Sequence, residues 1–126
     1  MDEGRGPRRA DLADGPLVEA PALVLKDGVY YLTFSSNMYD TQSYATATSV
    51  LGPYTKAQAP DAPLATDDGT GLFGPGGADI VLNGDGSGIM LYHGWEREVV
   101  NHDTSGNYRG MYAARVGFDN GKISLI

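Results

Sequence analysis

"ALVLKDGVYYLTFSSN", residues 22–37, decides the fold. Two runs rich in leucine, valine, tyrosine and phenylalanine flank Lys26-Asp27-Gly28. Asp-Gly supplies two residues that tolerate positive φ, as a two-residue hairpin turn demands. The stretch therefore predicts two antiparallel strands. Downstream, a polar segment "MYDTQ" leads to a third strand, "SYATATS", and Gly52-Pro53 turns the chain into a short fourth, "YTKA". Upstream lies "GPLVEAP", residues 15–21, where Glu19 sits among Leu17, Val18 and Ala20 between Pro16 and Pro21. Ionised carboxylates are seldom placed among apolar neighbours without a partner.

The same order returns in the second half. "GADIVL" reads as a strand, "NGDGSG" as a turn and "IMLYHGW" as a strand. After a longer loop, "REVVNHDTSGNY", come "GMYAARVGF", the turn "DNG" and "KISLI". No helical periodicity of useful length intervenes. The reading is all-β: a flexible arm over residues 1–14, a first four-stranded antiparallel unit over 15–58, a Pro/Asp/Gly linker over 59–76 and a second unit over 77–126. A recurring four-strand unit is the signature of β-propeller blades. Two blades alone leave apolar faces and sheet edges open, so self-association, with a dimer as its simplest form, is expected.

Composition narrows the function classes. At 126 residues and 41% hydrophobic, the chain has material for one modest domain. Eighteen glycines and eight tyrosines favour turn-rich β structure. A net charge of −7 argues against nucleic acid, which needs clustered Lys and Arg. No apolar run is long enough to cross a bilayer as a helix. "MDEGRGPRRADLADG" has no apolar stretch of a secretory signal, so either the signal has been removed or this form is not exported. Cysteine is absent, which removes disulfides and thiolate catalysis. "FGPGGAD", residues 73–79, is glycine-rich but leads into a strand, not the helix of a phosphate cradle, and reads as tight turns and close backbone packing.

"LVEAPALV", "VYYLTFSSNMYDTQSYATATSVLGPYTKA", "GPGGADIV", "YHGW" and "RGMYAARVGF", in this order, resemble the C-terminal part of glycoside hydrolase family 43, with most likeness to its fungal arabinofuranosidase- and arabinanase-like branch. The resemblance covers residues 16–126. It implies blades of a five-bladed propeller, inverting cleavage of arabinosyl or xylosyl linkages, a carbohydrate ligand and an extracellular setting. Family members use an Asp base, a second Asp that tunes the acid, and a Glu general acid. Glu19 matches the acid, and its apolar neighbours fit a carboxyl that must stay protonated near the working pH. Neither Asp motif matches within this chain, so catalysis by these residues alone is not expected. Asp79 is the one internal candidate that could face a channel, whereas Asp40, Asp67, Asp68 and Asp103 read as solvated turn residues.

The resemblance also marks a binding set. His93 matches a histidine directed at the axis, where many members hold calcium through waters; calcium itself wants several oxygen ligands. Asn37, Met38, Tyr39 and Tyr44 match the segment that lines the sugar cleft, though Tyr44 falls on a strand and reads rather as packing. Trp95 can line the pocket or pack the blade, and Arg109 matches an arginine that reaches the site to hold a carboxylate or a sugar hydroxyl. His102 reads as an exposed loop residue.

Overall fold

The computed structural model describes residues 18–36, 41–61, 65–66, 72–101 and 103–126. Its first sheet contains β1 (Val18–Lys26), β2 (Val29–Ser36), β3 (Thr41–Ala47) and β4 (Thr55–Lys56) in spatial order, all antiparallel. A fifth short strand, β5 (Ala65–Thr66), also pairs with β3. The second sheet runs β6 (Phe73–Leu82), β7 (Gly88–Trp95), β8 (Arg109–Asp119) and β9 (Lys122–Leu125), again antiparallel in chain order. The all-β, two-blade expectation holds. The arm at residues 1–14 lies outside the described residues.

Turn chemistry accounts for the connections. Asp27 and Gly28 have φ of 51° and 79°, and Asn120 and Gly121 have 48° and 79°. Positive φ at both central residues is the two-residue turn whose twist matches its strands. The stretch read as linker departs from expectation: β5 lies within it, and β6 already begins at Phe73. Glycine and proline there do not end the strand, because β6 absorbs them as irregularities between Phe73 and Gly76 and between Gly76 and Asp79.

The two sheets pack face to face. Tyr31 and Tyr44 of the first meet Ala78, Ile80, Met90, Tyr92, Val116 and Ile123 of the second in one buried cluster. Tyr31 stands edge-on to Phe118 at 5.1 Å between ring centroids, a geometry that aromatic quadrupoles favour. Tyr44 is a packing residue: it is 1% exposed, and its hydroxyl accepts the Ile123 N–H at 3.3 Å. Strand directions place both two-residue hairpin turns and the Asn83–Ser87 turn at one end of the molecule. At the other end stand Glu19, Ser35, Gln42, Gly76, His93, Trp95 and Arg109.

Candidate active site

Glu19 owes its position to an irregular β1. The register with β2 shifts between Glu19 and Ala22, and Ala20 takes φ 53° ahead of Pro21. This is a bulge, which bends an edge strand and re-aims its side chains. Glu19 stays opposite Ser35 and so points to the same face as that serine. Its apolar sequence neighbours do not enclose it: Glu19 is exposed, at the rim of a groove of about 280 Å³ shared with Val18, Pro21, Leu32, Phe34, Ala45, Tyr54 and Lys56. Enclosure fails because β1 is the outermost strand of its sheet, covered on one side only.

The second sheet contributes His93, Trp95 and Arg109. Alternation along β7 buries Met90 and Tyr92 in the core and sends His93 and Trp95 to the opposite face. Trp95 is the register partner of Arg109, whose guanidinium stands 5.3 Å above the indole ring, a cation–π contact that holds an exposed arginine in place. His93 is half-buried, and its Nδ1 is buried with no hydrogen-bond partner among the described residues. Burial first, and then the nearby Arg109 charge, lower its pKa from the usual 6.5, while Glu19 pulls the other way. Arg109 on its own sheet and Glu19 on the other thus act on the imidazole with opposite signs.

Gly76 and Gly77 provide the seat of the imidazole. A Cβ on Gly77, at φ 62°, would stand 2.8 Å from His93 Cδ2, and one on Gly76 would stand 3.1 Å from Cε1. "FGPGGAD" thus does serve close backbone approach, as a bulged strand. Asp79 lies on the same face as His93 but opposite Leu91, and its carboxylate accepts the Ile80 N–H at 2.8 Å. Asp103 is a turn residue, its pKa lowered by hydrogen bonds from the Ser105 side chain and backbone. Asn37, Met38, Tyr39, Asp40, Asp67, Asp68 and His102 lie outside the described residues.

Calcium does not fit what is described. No three metal-binding side chains gather among the described residues. One imidazole beside a guanidinium is a poor cradle for a hard dication that takes six to eight oxygens. Thr33, Ser35 and Gln42, which sequence reading passed over, prove central: all three hydrogen-bond between the sheets. Their signal was polar residues at the alternate, core-facing positions of two apolar strands.

The site combines a carboxyl, a guanidinium, an indole and an imidazole at one end of two packed blades, a chemistry suited to sugars. A TM-score of 0.68 relates the fold to an endo-1,4-beta-xylanase from Bacteroides thetaiotaomicron, at 28% identity over 92% of this chain and 40% of that one. A thermostable family-43 glycoside hydrolase matches at 0.66 and 25% identity, over 86% of this chain and 35% of that one. The family 43 protein BlXynB from Bacillus licheniformis also matches at 0.66 and 25%, over 98% and 23%. The chain thus spans well under half the length of these solved relatives. No curated protein matches. The model of glycosyl hydrolases family 43 matches residues 5–123, and the chain belongs to that family, its two sheets being blades of the five-bladed propeller that its solved neighbours share.

Proposed function

We propose that this chain carries the acid-bearing part of an inverting glycosidase acting on arabinosyl or xylosyl linkages of plant polysaccharides. The observation that supports it is that Glu19 stands opposite Ser35, which holds the backbone seating His93, while Trp95 and Arg109 stand at the same end of the second blade. In this reading Glu19 protonates the departing glycosidic oxygen. Arg109 and Trp95 hold the sugar, by hydrogen bonds to hydroxyls and by contact with its C–H face. Inversion needs a second carboxylate across the sugar, roughly 6.5–9.5 Å from the first, to activate water. That base is assigned to polypeptide supplying further blades, and any calcium at the axis would draw its oxygen ligands from there too.

The exposed rim position of Glu19 accords with this division. Polypeptide packed over the exposed Glu19 itself would create the dry setting a general acid requires. The test is hydrolysis of aryl arabinofuranosides and aryl xylosides by the assembled protein, beside Glu19→Gln. The expected result is turnover that falls by about 10³-fold in the variant. Equal turnover in both would remove Glu19 from the chemistry.

A second reading, a sugar-binding or self-assembling β module, draws on the outer faces. Leu23 and Leu25 on β1 are 43% and 49% exposed, and Val81 and Met111 on the second sheet are 56% and 73% exposed. Such faces are characteristically covered, and the occupant proposed here is a second copy, giving a homodimer. Light scattering that finds a folded monomer at micromolar concentration would exclude it.

A further inference from the structure

The acid and the histidine stand on different sheets, so something must set one against the other. β6 leaves its ladder with β7 between Gly76 and Asp79, which frees the backbone of Gly77 and Ala78. Side chains of the first sheet take it up. The Gly77 N–H donates to Ser35 Oγ at 2.8 Å, and the Ala78 N–H donates to Gln42 Oε1 at 3.3 Å. Thr33 Oγ1 donates to the Ala78 carbonyl at 3.0 Å. Ser35 Oγ in turn donates to Gln42 Oε1 at 3.2 Å, and Gln42 Nε2 donates to the Phe34 carbonyl at 3.0 Å.

Gln42 is 0% exposed. Its amide has one workable orientation, because a flip would set its NH₂ against the Ala78 N–H. Ser35 is the register partner of Glu19. The backbone it grips is the seat of the His93 ring, with a Gly76 Cβ position 3.0 Å from Ser35 Oγ and 3.1 Å from His93 Cε1.

We propose that Ser35 and Gln42 are positioning residues, a clamp between blades that sets where His93 stands relative to Glu19. The assignment rests on the reading of Glu19 as the acid only for its purpose; the clamp itself is testable without activity. Neither residue needs to touch substrate. Gln42 orients Ser35, Ser35 fixes Gly77, and Gly77 seats the imidazole.

NMR of the isotope-labelled protein, beside Ser35→Ala, Ser35→Thr and Gln42→Met, tests this. Wild type should show a strong NOE from a Gly77 α-proton to His93 Hδ2. Ser35→Ala should weaken it and speed exchange of the Gly77 amide by about fivefold to tenfold, the loss of one hydrogen bond. Gln42→Met should do the same at Ala78. Ser35→Thr, which restores the hydroxyl, should recover the NOE, and an unchanged Met90 amide in every variant would show the core intact. A wild-type protein without the NOE overturns the proposal, and so does Ser35→Ala with the NOE and exchange unchanged or Ser35→Thr without recovery. Titration with arabinotriose and xylotriose separates the two ideas: both Glu19 and His93 signals should move in wild type, and Ser35→Ala should lose the response at His93. If neither signal moves in wild type, sugar binding by these two blades on their own is excluded, while the NOE and exchange still decide the clamp.

Discussion

Gly77 shows how much one residue can carry. Its φ of 62° is a conformation that L side chains adopt at a cost, and a Cβ would stand 2.8 Å from the imidazole. Gly77→Ala should therefore destabilise the chain by about 2 kcal/mol, from backbone strain and displacement of His93 together, as urea denaturation would read. His93 carries a pH signature. Burial, then Arg109, holds its folded pKa below 6.5, with Glu19 only partly offsetting them. The unfolded chain thus takes up this proton at a higher pH than the folded chain. The stability concerned is fully present above the unfolded value and is lost as pH falls through the folded one. Unfolding free energies measured from about pH 7 to 5 should fall more steeply in wild type than in His93→Gln.

At the scale of elements, β7 is the strand on which the second blade depends. It pairs with β8 along its whole length and with β6 except at the two irregularities between Phe73 and Asp79, and it sends Met90 and Tyr92 inward while presenting His93 and Trp95 outward. Met90 is 0% exposed in the cluster between the sheets. Met90→Ala should cost about 2–5 kcal/mol, the range for emptying a packed site, and a thermal melt would show it. The variant should loosen the interface as well as the strand, since Met90 packs in the same cluster as Tyr31 and Tyr44. Strand identities were legible beforehand, because alternation and the Asp27-Gly28 and Asn120-Gly121 turns are local signals. The start of β6 was not. Glycine and proline read locally as a break, whereas a bulged strand keeps its course there with its backbone hydrogen-bonded to the Thr33, Ser35 and Gln42 side chains.

For the molecule as a whole, one face of each sheet is buried against the other, and the remaining faces carry exposed Leu23, Leu25, Val81 and Met111. If those faces hold a second copy, the double variant Leu25→Lys with Met111→Lys should shift sedimentation toward the monomer and leave the melting profile of the fold in place. Unaltered association would locate the contact elsewhere. Apart from the short β5 and the start of β6, the sequence by itself determined the strands, their antiparallel order, the turns and the chemical types at the site, because each follows from period-2 patterning, turn propensity or a short motif around Glu19, His93 and Arg109. Only the tertiary structure decided that Glu19 is exposed, that Tyr44 is core, and that Arg109 stands over Trp95. The clamp from Ser35 and Gln42 to Gly77 and Ala78 was likewise beyond local reading. Each of these depends on contacts between residues far apart in the chain, which a local pattern does not encode but which the packing of two sheets across one core brings within hydrogen-bonding distance.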